Sequence, residues 1–83
     1  MGHGRATVLS VIAESRGGVS TGDLADRAGL SAATVSEHTS VLRRAGLVST
    51  RQLGRARCHS LTTLGRDLLQ SAATDVFDGR YRG

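Results

Sequence analysis

Residues 31–48 read Ser31-Ala32-Ala33-Thr34-Val35-Ser36-Glu37-His38-Thr39-Ser40-Val41-Leu42-Arg43-Arg44-Ala45-Gly46-Leu47-Val48, and a turn at Gly54-Arg55 follows. Ser31 is a capping residue type, and Val35, Thr39 and Leu42 recur at the spacing that keeps side chains on one face of a helix. Glycine accepts the left-handed backbone that closes helices, so Gly46 ends a helix running from its cap at Ser31 through Ala45. Leu47–Gln52 and Arg57–Leu61 are β-compatible runs around Leu53-Gly54-Arg55-Ala56, where the glycine permits a tight hairpin turn. A helix with a small, polar leading face, a glycine stop and an arginine-bearing ribbon are the parts of a winged helix-turn-helix.

Working outward, Arg5–Glu14 places Ala6, Leu9, Ile12 and Ala13 at helical spacing, so a first helix with one buried stripe is expected there. Ser15-Arg16-Gly17-Gly18 ends it in a turn, and Val19 suits a short strand. Ser20 and Asp23 have capping-box spacing, with Asp in place of the usual Glu or Gln, and open a second helix whose inward face is Leu24, Ala25 and Ala28. Gly29 stops that helix and Leu30 anchors the turn before Ser31, which completes a helix-turn-helix. From Thr62 the period is helical again, with Leu64, Leu68, Ala72 and Val76 on one stripe, although Gly65 costs such a helix roughly 1 kcal/mol relative to alanine. The expected fold is α+β: a three-helix core, a two-stranded β wing and a C-terminal helix. One domain spans residues 1–77, and residues 78–83 form a frayed tail.

Composition narrows the functional classes. The chain has 83 residues, a net charge of +4 and 11 basic residues, all of them arginine; its pI is near 11.0. A domain of this size holds one modest core and must work through its surface. Arginine's planar fork matches phosphate and guanine edges. No Asp or Glu occurs from His38 to Arg66, whereas Arg43, Arg44, Arg51, Arg55, Arg57 and Arg66 all do. No apolar run is long enough to cross a membrane, so a cytoplasmic protein is expected. The single cysteine, Cys58, forms neither an internal disulfide nor a cysteine-pair metal site, and it reads as a small strand residue. No nucleophile elbow, phosphate loop, HExxH or paired-carboxylate arrangement appears, so no enzyme and no cofactor are expected. The aromatics are confined to Phe77 and Tyr81, leaving no stacking platform for single-stranded nucleic acid.

Double-stranded DNA is the expected partner. With Val35, Thr39 and Leu42 inward, the third helix turns Ser31, Ala32, Ala33, Thr34, Ser36, Glu37 and Ser40 toward the major groove. Small residues let the backbone approach, Ser31 and Thr34 can donate to phosphates or base edges near the positive helix end, and the alanines and the Thr34 methyl suit thymine methyl groups. Glu37 either accepts from a cytosine amino group or pairs with an arginine; His38 either bonds within the fold or meets a phosphate. Arg43 and Arg44 complement the negative end of the helix and reach backbone. Arg51, Arg55 and Arg57 project from the wing, with Arg55 at the turn as the minor-groove residue. Ser20 and Thr21 are capping residues that also suit a phosphate anchor. Two phases of the second wing strand stay open: one turns Arg57, His59 and Leu61 inward, the other Ala56 and Cys58.

With these residues in place, Leu24-Ala25, Gly29-Leu30-Ser31, Thr34-Val35-Ser36-Glu37-His38 and Leu42 through Val48, continued by Gly54-Arg55 and Leu61-Thr62, resemble winged-helix repressors of the ArsR type. Gly4 through Leu9 and Leu64 through Leu69 are also similar to the C-terminal DNA-binding domain of larger actinobacterial regulators. The resemblance implies a compact winged helix, operator binding, and a homodimer formed through the first and last helices. Leu68, Leu69, Ala72, Ala73, Val76 and Phe77 offer apolar surface for such a pair, while an excised domain would equally be monomeric. The chain departs from the family at the cysteine, histidine and acidic ligands of its metal sensors, which it lacks. It departs again at Thr39, where leucine is usual; a threonine there is expected to bond back to the Val35 carbonyl. A winged helix that binds an acidic protein partner is the rival function.

Overall fold

The computed structural model describes the backbone of residues 2–77 and the side chains of residues 4–71; the tail expected at residues 78–83 lies outside the described residues. Along the chain run α1 (Gly2–Glu14), β1 (Val19–Ser20), α2 (Thr21–Ala28), α3 (Ala32–Arg44), β2 (Val48–Leu53), β3 (Ala56–Leu61) and α4 (Thr63–Phe77). The architecture is the expected α+β winged helix-turn-helix. Its sheet has three antiparallel strands in the order β1-β3-β2, one more than the hairpin alone. Val19 and Ser20 add the third strand by pairing with His59 and Cys58, so the wing is tied at its base to the entry of α2.

Local chemistry explains the boundaries. Ser20 and Ser31 cap α2 and α3, each accepting from the backbone N–H three residues on, at 3.2 Å from Asp23 and 3.1 Å from Thr34. α3 closes with a Schellman arrangement in which Gly46 donates to the Arg43 carbonyl and Leu47 to the Leu42 carbonyl, both at 2.9 Å. Gly54 has φ 61 at the first turn position, with no non-glycine residue at positive φ among the described residues, the pattern of a type II′ hairpin turn. Gln52 Nε2 donates to the Gly54 carbonyl at 3.1 Å and steadies that turn.

The core joins Val8, Val11 and Ile12 of α1 to Val19, Leu24, Ala25, Val35, Leu42 and Val48, with Leu9, Ala28, Leu30, Leu47 and Leu61 packed around it. The buried stripe of α1 is therefore rotated about a third of a turn from the expected Ala6–Leu9–Ile12–Ala13 line. Both lines are helical in period, and the β-branched side chains displace more water than the alanines do. Thr39 is buried as expected, but its hydroxyl donates to the Ser36 carbonyl at 3.1 Å and not to that of Val35. The shorter reach, three residues back, is the other geometry open to a helical threonine.

Gly65 makes the largest departure. Its expected role was a weak point in α4, yet a Cβ there would collide with the Leu47 carbonyl oxygen and come within 2.9 Å of Leu61 Cδ1. The bare glycine lets the first turn of α4 lie directly on the end of α3 and the base of the wing. Thr62 completes that joint, with Oγ1 donating to the Gly46 carbonyl at 2.6 Å and accepting from the Gly65 amide at 3.0 Å.

Candidate nucleic-acid interface

Strand alternation sorts the wing into two faces. The pairs Val48–Leu61, Thr50–His59 and Gln52–Arg57 share the face that includes the buried core residues Val48 and His59. Ser49–Ser60, Arg51–Cys58 and Leu53–Ala56 share the other. The phase left open by the sequence is thus the one with His59 and Leu61 inward. Arg57 lies on the same face but stays exposed, because near the tip the ribbon has outrun the core. Arg51 stands on the opposite face, beside the half-buried free thiol of Cys58.

On α3, burial of Val35, Thr39 and Leu42 turns Ala33, Glu37, Ser40 and Arg44 outward. Ser36 and Arg43 lie on the flank toward the wing. Ser36 lines an open groove of about 420 Å³ together with Ser20, Thr21 and Gly22 of the α2 entry and Arg55, Ala56 and Arg57 of the wing. Five residues selected from sequence, Ser20, Thr21, Ser36, Arg55 and Arg57, therefore converge on one surface. Gly22 and Ala56 were not anticipated; their signal is their small size beside a cap and a turn.

Other selected residues have more local employment. Ser31 gives its hydroxyl proton to Thr34 Oγ1 at 2.9 Å, leaving the Thr34 proton as the donor at this helix end. Ala32 is exposed in the same first turn. His38 packs toward α1, where its Nε2 would lie 3.1 Å from a Cβ at Gly4, and its Nδ1 is buried without a hydrogen-bond partner. The fold thus meets His38 from the α1 side. Glu37 makes no ion pair among the described residues, so the arginine partner considered for it is not found. The one ion pair described, Arg27 with Glu14 at 3.8 Å, leaves the arginines of α3 and the wing uncompensated.

His59 is the residue whose role sequence analysis missed. It is 2% exposed, and both ring nitrogens are engaged: Nε2 with Thr21 Oγ1 at 2.7 Å and Nδ1 with Thr50 Oγ1 at 2.9 Å. Burial holds its pKa below the ordinary value, and the Arg57 and Arg43 guanidinium groups press it the same way. The neutral ring connects the groove wall at Thr21 to the wing.

Among the described residues no three metal-ligating side chains come together, and no helix is long and apolar enough to cross a membrane. A small α+β domain with a capped helix, a basic wing and an uncompensated groove between them defines the winged helix-turn-helix class. Residues 6–52, more than half of the chain, match the IclR helix-turn-helix domain, and the chain belongs to that family. Solved structures similar to it include reduced HlyU of Vibrio cholerae, at 29% identity over 82% of this chain and 70% of that one, with a TM-score of 0.71. The MepR–DNA complex of Staphylococcus aureus is 25% identical over 96% of this chain and 67% of that one, with a TM-score of 0.80. The transcriptional regulator MosR of Mycobacterium tuberculosis, in complex with DNA, is 32% identical over 86% of this chain and 52% of that one, with a TM-score of 0.74. The chain thus spans between about half and seven tenths of these relatives. No curated protein matches it.

Proposed function

We propose that this domain binds double-stranded DNA as part of a transcriptional regulator, with α3 in the major groove and the wing on the backbone and in the minor groove. The observation that carries the proposal is the convergence of the α2 entry, Ser36 and two wing arginines on one open groove whose lining contains no acid. Helix N-termini and arginines both attract phosphate, and here they flank the helix that would read bases. In this assignment Ala32, Ala33, Thr34, Glu37 and Ser40 face base edges, while Ser20, Thr21, Gly22, Arg43, Arg44 and Arg57 hold backbone. Arg55 enters the minor groove, Arg51 serves the outer edge of the wing, and His38 braces α3 against α1. That MepR and MosR structures contain DNA supports the same docking.

A domain bound at a DNA site excludes other proteins from it, so the action we propose is repression, in the cytoplasm. The ArsR-type likeness is a finer kinship within the same fold and implies the same duplex target. Leu64 and Leu68, 56% and 50% exposed on α4, support pairing of two copies through the terminal helices. Ala72, Ala73, Val76 and Phe77, expected in the same contact, have side chains outside the described residues.

Selection from random duplex DNA followed by fluorescence anisotropy over a salt series tests the proposal. The three arginine–phosphate contacts of Arg43, Arg44 and Arg57 predict a slope of about −3 in log K against log salt, per domain. An enriched sequence bound with that slope is expected. Binding to an acidic polypeptide as tight as to duplex, with no enriched sequence, would favour the protein-partner function instead.

A further inference from the structure

A buried histidine that uses both ring nitrogens contributes to packing, but His59 also sits one hydrogen bond behind the groove. Thr21, the first residue of α2, lines that groove and is bonded to His59 Nε2 at 2.7 Å. A threonine hydroxyl has one proton to give, and a neutral imidazole has one N–H and one bare nitrogen. If Nδ1 carries the proton, it donates to Thr50 and the bare Nε2 takes the Thr21 proton. Thr21 then offers only lone pairs to the groove. If Nε2 carries the proton, it donates to Thr21, Thr50 gives its own proton to Nδ1, and the Thr21 proton is free. A phosphate oxygen accepts and does not donate, so only the second arrangement lets Thr21 bind one.

We infer that His59 is a positioning residue for duplex binding: its tautomer decides whether Thr21 can donate to a phosphate, and a bound phosphate holds the proton on Nε2. The inference rests on the groove being the phosphate site proposed above. It matters that the ring is neutral, since an imidazolium would donate from both nitrogens and leave Thr21 free at all times. The groups that face the ring agree with neutrality: Thr21 from α2, Thr50 from β2, and the positive charges of Arg57 on β3 and Arg43 on α3. Thr50 at 2.9 Å is suited to either polarity, so the relay can invert without moving a heavy atom.

The test is nitrogen NMR of the full chain with isotope-labelled histidine rings, alone and saturated with a duplex oligonucleotide whose binding is followed separately by anisotropy. In the complex, the proton is expected on Nε2 of His59. A duplex that binds while Nε2 is bare overturns the relay, whereas absence of duplex binding overturns the DNA proposal beneath it. Thr21→Val removes the hydroxyl with little change of shape and is expected to weaken duplex binding about tenfold, with the salt slope unchanged, as for a neutral donor lost from a phosphate. Thr21→Ser should restore most of that affinity and keep the proton on Nε2 in the complex. Equal affinities for Thr21→Val and Thr21→Ser would show that the hydroxyl does not donate and that His59 only packs.

Discussion

Replacing Gly65 with alanine sets helix propensity against packing. Alanine in an open helical position gains about 0.5–1 kcal/mol over glycine. At Gly65 the new Cβ would meet the Leu47 carbonyl oxygen, stand 2.9 Å from Leu61 Cδ1 and 3.2 Å from the Leu47 carbonyl carbon. Two of those three atoms are backbone at the closure of α3, so relief requires α4 to lift from the sheet. That displacement also strains the Thr62 amide bond to the Leu47 carbonyl at 3.0 Å and the Thr62 hydroxyl bond to Gly46. Overpacking costs of about 1–3 kcal/mol outweigh the propensity gain, for a net loss of about 1–2 kcal/mol. In a domain of this size that lowers Tm by roughly 5–15 °C. Gly22→Ala is the matched control: it is also helical, nothing lies within 4 Å of its Cβ, and it should raise Tm by a few degrees, roughly 2–8 °C. Thermal unfolding followed by circular dichroism measures both, and hydrogen exchange at the Thr62 amide reports the joint itself. If Gly65→Ala melts as high as the parent, or higher, the close approach of α4 to Leu47 is wrong.

Other expectations are more local. Arg57→Ala should weaken binding to all duplexes alike and reduce the salt slope by about one unit, read by anisotropy at several salt concentrations; an unchanged slope would remove Arg57 from the DNA backbone. Thr34→Val should alter base preference, with discrimination at the affected position changing by on the order of 1–3 kcal/mol. Equal losses on selected and random duplex would contradict base reading there. His59 gives stability a pH dependence. In the unfolded chain it takes a proton near 6.5, but the folded chain resists protonation because of burial, Arg57 and Arg43. Its contribution is complete above that pH and is lost as pH falls from 6.5 toward the lower folded value. Urea unfolding from about pH 8 to about pH 5 should show this fall in the parent and a flatter profile in His59→Gln, and parallel profiles would contradict it.

Much of the fold was legible because punctuation and period agree. Ser20, Gly29, Ser31 and Gly46 mark the ends of α2 and α3 through chemistry confined to a few neighbours, and Gly54 marks the wing turn in the same way. Each of these signals is local. The stripe of α1 was not fixed by such a signal, since two lines of apolar residues share one period and only packing into the common core chooses between them. Gly65 was read only as a cost, and the role of His59 was left open, for a related reason. A glycine's value in a helix depends on what lies across from it, here the Leu47 carbonyl. A histidine in a strand becomes a buried link only when Thr21 and Thr50, from two other elements, arrive at its ring.

The candidate site divides along the same line. Serine and arginine types at a helix start and a hairpin tip announced an anionic target, and the fold gathers Ser20, Thr21, Ser36, Arg55 and Arg57 at one groove. Which face each residue occupies depended on register. The pairing of Arg51 with Cys58 and of Gln52 with Arg57 separates two wing arginines that the sequence treated alike. His38 is likewise claimed by α1 through Gly4, a contact between segments far apart in the chain.

The most direct test of the central claim is amide chemical-shift mapping of the labelled domain titrated with duplex DNA at low salt. Residues 20–22, the exposed face of 31–44 and the wing tip at 54–57 should shift together and saturably, while α1 and the first turns of α4 change little. Saturable shifts confined to α1 and α4, with residues 20–22 and 54–57 unmoved, would place the duplex elsewhere and contradict the account.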